Sequence, residues 1–120
     1  MQKVEFRNES FRWKVTIKNA QGEITPVNKV TSMEVLLYGE FEKDIWHRCK
    51  YPEEPGFIPV KKADDDSAFF IELSPDQTMD APLGTMIIQI TYRMEDDRFD
   101  TGYVQRVEKG KLLSIKKTRL

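Results

Sequence analysis

Hydrophobic and polar side chains alternate along several short stretches of the chain, a pattern typical of strands with one buried face. The clearest case is FRWKVTIK, residues 11–18. In this stretch Phe11, Trp13, Val15 and Ile17 fall on one face, and basic or hydroxyl side chains occupy the other. The segment is therefore predicted to be a half-buried strand.

The same alternation returns along the rest of the chain, separated by turn signals. The predicted strands after the first are TSMEVLLYG (31–39), DIWHRCKY (44–51), SAFFIELS (67–74) and GTMIIQITYRM (84–94). TGYVQRVEKGKLLSIKK (101–117) is predicted to form one long strand or two. YPEEPGF (51–57) is predicted to be a loop because it contains two prolines and a glycine. PDQTMDAP (75–82) is predicted to be a turn or a short helical turn, and a bulge is expected near Gly110.

No segment sustains a helical period, and about seven short strands separated by turns favour an all-β fold. We predict one domain over residues 1–120, an immunoglobulin-like β-sandwich of about seven antiparallel strands. The inward-facing positions define the expected core, with Trp13 as the best candidate for its centre. The predicted core residues are Trp13, Val15, Ile17, Val35, Leu37, Ile71, Ile88 and Ile90.

Composition narrows the class of partner. The 120-residue chain has a formal net charge of −1, with acids and bases interspersed, whereas nucleic-acid binders usually carry a basic excess. No apolar run is long enough to span a membrane, so neither nucleic acid nor membrane is expected as a partner. The basic tail KGKLLSIKKTRL suggests either a solvated strand face or a phosphate site, and Lys116–Leu120 either an assembly arm or a frayed end.

The single cysteine, Cys49, excludes an intrachain disulfide. The charged start MQKVEFRNES does not have the pattern of a signal peptide, which favours synthesis in a reducing cytoplasm. His47, the only histidine, lies two residues from Cys49, so the two side chains would share a strand face. No third group is evident to orient them, and one His and one Cys are too few for a structural zinc site. We predict no catalytic residues, no metal site and no cofactor.

Two acidic clusters leave calcium open as an alternative. ADDDSA contains Asp64, Asp65 and Asp66, and MEDDRFD precedes Thr101. Neither follows the spaced pattern of an EF-hand loop, and aspartates favour turns because their side chains bond their own backbone. MEDDRFDTGY is therefore predicted to be the polar tip of a long hairpin, with Gly102 allowing the chain to turn back.

Aromatic residues suggest a binding surface instead. Tyr38, Trp46, Tyr51 and Phe57 gather in sequence around the proline-rich loop. Exposed aromatics on a β-sandwich can form a sugar-stacking platform, and they are also enriched at the centres of protein interfaces. We favour an interface and keep sugar binding as the alternative.

Two stretches carry a family resemblance. APLGTMIIQITYRMEDDRFDTGYVQRVEKGKLLSI (81–115) and FRWKVTIKNAQGEITP (11–26) resemble small immunoglobulin-like virion proteins of bacteriophages, especially phages of Bacteroides-type hosts. They are also similar to domains of phage baseplate and fibre-anchoring proteins. The middle of the chain, DIWHRCKYPEEPGFIPVKK, carries no such resemblance.

The resemblance implies a non-enzymatic structural role in a virion, as a head-fibre, accessory capsid or tail-assembly protein. It implies synthesis in the bacterial host cytoplasm, self-association and contacts with other virion proteins. We expect the contacts to involve the hairpin tip and the aromatic residues. The candidate interface residues are Asp96, Asp97, Phe99, Tyr103, Trp46, Tyr51 and Phe57.

Overall fold

A computed structural model describes residues 3–18 and 21–116 of the chain. Of the suggested terminal arm, Lys116–Leu120, only Lys116 lies within this range. The strands are β1 (Lys3–Phe6), β2 (Phe11–Val15), β3 (Ile17–Lys18), β4 (Ile24–Thr25), β5 (Val30–Gly39), β6 (His47–Tyr51), β7 (Ile58–Lys62), β8 (Phe69–Leu73), β9 (Gly84–Glu95) and β10 (Tyr103–Lys116), and one helical turn, α1 (Pro75–Thr78), precedes β9.

Eight strands form one hydrogen-bonded order, β1-β10-β9-β5-β6-β7-β8-β2, and β3 and β4 form a separate small hairpin. The buried side chains of β2 and β8, at one end of this order, belong to the same hydrophobic cluster as those of β5 and β9. The sheet therefore curls, so that its two halves cover a common core.

The core is filled by the alternating inner residues of these strands. Trp13, Val15, Ile17, Val35, Leu37 and Ile71 are all buried, while Ile88 and Ile90 are half-buried against the cluster. The largest fully buried side chains include Phe69 and Met33. Trp13 lies on the edge strand β2 and retains 8% exposure, so the centre of the core is at β5 and β8 rather than at Trp13.

The all-β class is confirmed, but the immunoglobulin-like sandwich is not. The expectation of purely antiparallel pairing needs correction, since β1 pairs in parallel with β10 and β6 pairs in parallel with β7. The first predicted strand is also divided at Thr16, because β2 joins β8 whereas β3 turns away to pair with β4. The bulge expected near Gly110 lies close by, between Lys111 and Leu113.

The register of the sheet defines two opposite ends. Met33 pairs with both Tyr51 and Tyr92, so the β9–β10 turn projects beyond this end, which we call the tip end (residues 95–102). Gly39 pairs with Met86 at the other end. Residues 40–46 and 79–83 connect strands there, and we call these two segments the loop end.

Candidate functional site

The tip end is closed by its own hydrogen bonds. The Asp96 N–H donates to the Gly102 carbonyl (3.0 Å), and the Gly102 N–H donates to the Phe99 carbonyl (2.9 Å). Gly102 has a φ of 82°, a conformation that non-glycine residues rarely adopt. The acidic segment is thus an ordered turn between β9 and β10, as the sequence predicted.

The Asp96 carboxylate is engaged in hydrogen bonds within this turn. Its carboxylate accepts from the Arg98 guanidinium through Nε (2.9 Å) and Nη2 (2.6 Å), and from the Arg98 backbone N–H (3.1 Å). These hydrogen bonds, led by the one from the Arg98 side chain, lower the pKa of Asp96 to about 2. Asp96 therefore serves the turn itself, whereas its neighbour Asp97 is exposed.

The aromatic residues of the tip differ in exposure. Phe99 is 46% exposed. Tyr103 is half-buried, and the Arg93 guanidinium carbon lies 4.5 Å from the centre of its ring. Arg93 Nε also donates to the Gln105 side-chain oxygen (2.9 Å). Of the two aromatics, Phe99 is the better placed to contact a neighbouring molecule.

The aromatic residues around the proline-rich loop do not form one platform. Trp46 precedes β6 at the loop end, whereas Tyr51 ends β6 at the tip end, about 17 Å away at ordinary strand rise. The Tyr51 ring packs on Phe69 with its centre 5.0 Å away, and Phe57 lies 5.2 Å from the Lys50 ammonium. Trp46 and Tyr51 therefore lie at opposite ends of the sheet and do not share one surface patch.

Trp46 instead lines a cleft of about 530 Å³ at the loop end. Its indole N–H donates to Asp80 Oδ1 (3.1 Å), and its ring lies 4.3 Å from that of His47. Both carboxylates and apolar side chains line the cleft. Its walls are Arg7, Glu42, Asp44, Ile45, Asp80, Pro82 and Leu83.

Large apolar side chains stand exposed on the segments that border this cleft. Phe41 is 93% exposed, Met79 58% and Leu83 49%. The two segments are held side by side, because the Glu40 N–H donates to the Thr85 carbonyl (2.9 Å). Soluble proteins rarely expose several such side chains together without a partner, so the loop end is the strongest candidate contact surface.

The prediction of interface residues missed Phe41, Met79 and Leu83. The signal available in the sequence was a phenylalanine between two glutamates in GEFEKD. An apolar side chain inside a short charged loop cannot easily reach the core. The proximity of residues 79–83 depends on the pairing of β5 with β9, which the alternation pattern does not reveal.

A second groove, of about 640 Å³, lies between the β3–β4 hairpin and the inner face of β9 and β10. Tyr92 and Met94 form part of its apolar wall, and Lys29, Arg106 and Glu108 add charges of both signs. Burial, followed by the Glu108 charge, raises the pKa of Tyr92. Because the charges are mixed, the groove does not select for an anion or a cation.

His47 and Cys49 share β6 but do not form a nucleophile–base pair. His47 Nε2 donates to the Gln77 carbonyl (2.7 Å), so its ring engages α1. Cys49 is fully buried, and burial raises the pKa of its thiol to about 12. A thiol with such a pKa supplies almost no thiolate at neutral pH.

The acidic loop at residues 64–66 is likewise a turn. Asp65 Oδ1 accepts from the Ser67 N–H (3.0 Å), and the Lys62 ammonium lies 3.1 Å from Asp66 Oδ1. Among the described residues, no group of three or more His, Cys, Asp or Glu side chains is placed to hold a metal ion. In the same residues, no helix is long and apolar enough to cross a bilayer.

Comparison with known proteins adds no assignment. No protein-family model, curated protein or solved structure matches the chain.

Proposed function

We propose that this protein is a non-enzymatic structural component of a bacteriophage virion, a head-fibre, accessory capsid or tail-assembly protein that acts through protein–protein contacts. The observation that supports a role in protein–protein contacts is the group of exposed apolar side chains at the loop end, above all Phe41 at 93% exposure. The virion setting comes from the resemblance of residues 11–26 and 81–115 to phage structural proteins.

The architecture suits a part that is held between other proteins. The curled sheet gives a framework on which loops at two opposite ends are presented independently. Its surface charge is high and of mixed sign, which favours solubility before assembly. We include the immunoglobulin-like sandwich in this proposal, because the two halves of the sheet enclose one core as the layers of a sandwich do.

Protein–protein docking through the loop end is tested with purified phage particles that carry the gene. Mass spectrometry should find the protein in the particles. A variant with Phe41→Ser and Leu83→Ser should lose incorporation, since it removes exposed apolar contact area without touching the core.

The matched control is Ile24→Ser, which removes a 60% exposed apolar side chain on the β3–β4 hairpin, whose residues line the groove beside the tip end. It should be incorporated like the wild type. Particles that lack the wild-type protein, or that take up the double variant equally well, would refute the proposal.

A carbohydrate-binding or adhesin-like module is the alternative, and one observation favours it. Trp46 stands beside the carboxylates of Asp44 and Asp80 in an open cleft, a combination that offers stacking and hydrogen-bond acceptors to a sugar. Binding on a glycan array that is lost with Trp46→Ala and kept with Phe99→Ala would support this function. An array without specific binding would exclude it for the sugars tested.

A further inference from the structure

The outer edge of β10 is open along most of the strand. One side of β10 pairs with β9, and β1 covers the other side only from Leu113 to Lys116. Within the described residues, the backbone from Val104 to Gly110 therefore has no strand on its outer side. Gln105 to Lys111 are all exposed, and Val107 is 60% exposed. An open edge of this kind is a template for another strand.

We propose that this edge pairs with the same edge of a second copy of the chain. The pairing is antiparallel about a two-fold axis at Val107, so that the eight-stranded sheet continues across the dimer. An isologous contact of this kind closes on itself and requires the edge to complement itself.

The charges along β10 provide that complementarity in one register. With Val107 opposite Val107 of the second copy, Arg106 faces Glu108 and Glu108 faces Arg106, each pair on one face of the sheet. A shift of the axis to Arg106 would oppose two guanidinium groups, and a shift to Glu108 would oppose two carboxylates. The charges that stabilise the register centred on Val107 therefore destabilise the two registers shifted by one residue.

The other open edge of the sheet does not share this property. β2 ends the strand order and presents Arg12 and Lys14 on its exposed face. Antiparallel self-pairing about Trp13 would place Arg12 opposite Lys14 of the second copy twice, and like charges directly opposite destabilise a sheet. Self-association is thus assigned to β10 and not to β2.

This inference deepens the proposed function, on which it rests, by naming the surface through which copies of the protein contact each other. It is separate from docking through the loop end. A failure of the edge pairing leaves the Phe41 and Leu83 experiment unaffected, and a failure of particle incorporation leaves the dimer of the purified protein unaffected.

The test is a charge swap on the purified full-length protein, followed by sedimentation equilibrium over a wide range of concentration. The wild type should dimerise. R106E or E108R alone sets like charges opposite each other at two places and should raise the dimer dissociation constant about tenfold. The double variant R106E/E108R restores both pairs and should recover wild-type dimerisation.

K14E is the matched control, because it makes the same change in net charge on the other edge strand and should leave the dissociation constant unchanged. Amide exchange should also slow at Val104–Gly110 when the protein concentration rises. A monomer at all concentrations, a dimer indifferent to R106E, a double variant that is not rescued, or oligomers that grow without limit would each overturn the inference.

Discussion

Cys49 lies on the inner face of β6 with no exposed surface. Burial raises the pKa of its thiol to about 12, because a thiolate loses its hydration inside the core. We expect no reaction with a disulfide reagent such as DTNB at pH 8 in the native state, and complete reaction of one thiol in denaturant. Rapid labelling of the native protein would show that the thiol is accessible, contrary to this fold.

The linkage of Cys49 to stability has a definite sign. The native pKa lies above the ordinary value of 9.0, so the folded state binds the proton more tightly than the unfolded state does. The contribution of Cys49 to stability is complete below pH 9 and declines as the pH rises toward about 12.

Asp96 titrates in the opposite direction. Its hydrogen bonds with Arg98 lower its pKa to about 2, so the stabilisation of the tip is complete above about pH 4 and is lost as the pH falls toward 2. We expect the amide proton of Arg98, which donates to Asp96, to shift in NMR spectra with a midpoint near pH 2. Asp96→Asn should abolish that transition, and a midpoint near 4 would contradict the hydrogen bonds of the turn.

Among the elements, α1 is tied to the segment that precedes β2 by a buried hydroxyl, in addition to its contact with His47 of β6. Thr78 is fully buried, and its Oγ1 donates to the Glu9 carbonyl at 2.8 Å. Thr78→Val keeps the shape but leaves that carbonyl without this donor. The free energy of unfolding should fall by about 1–3 kcal/mol, measured by urea denaturation.

The matched control is Thr31→Val. Thr31 is exposed and makes a longer bond, 3.3 Å, to the Arg93 carbonyl. Because water can replace that bond, the change should stay within about 0.5 kcal/mol. Equal effects of the two substitutions would show that Thr78 does not anchor α1.

Some elements could be predicted because the pattern of the chain is local. Phe11 to Val15 alternates without a fault, and both β2 and its exposed face follow directly from that. The prediction missed β7 because Pro59, Lys61 and Lys62 are typical of a loop. Its parallel pairing with β6 joins separate segments, and a local sequence pattern does not reveal such pairing. β1 was missed because a short charged segment becomes a strand only when β10 supplies its hydrogen bonds.

At the scale of the whole molecule, the predicted interface residues separate into two groups. Asp96, Asp97 and Phe99 lie at the tip end and Trp46 at the loop end. Alternation identifies the strands and the charged turn, but not which ends of the strands meet. That choice depends on the sheet order, which is set by long-range packing of the core.

The tip should contribute to assembly through Asp97 rather than Asp96. Asp97→Lys changes an exposed charge and should leave the melting temperature nearly unchanged, whereas Asp96→Lys should lower it by breaking the bonds to Arg98. Incorporation into particles, followed by co-sedimentation, should weaken with Asp97→Lys. Asp64→Lys, an equal change on another exposed loop, is the control, and equal incorporation of both variants would remove the tip from the interface.

The parallel contact between β6 and β7 joins the two halves of the sheet through only two residue pairs, Cys49 with Ile58 and Lys50 with Pro59. By comparison, β5 and β9 pair along almost their whole length. Under a pulling force we therefore expect β6 and β7 to separate first, while the strands within each half of the sheet stay paired. If the protein carries mechanical load between neighbouring molecules, the two halves of its sheet should then move apart before pairing within either half is lost.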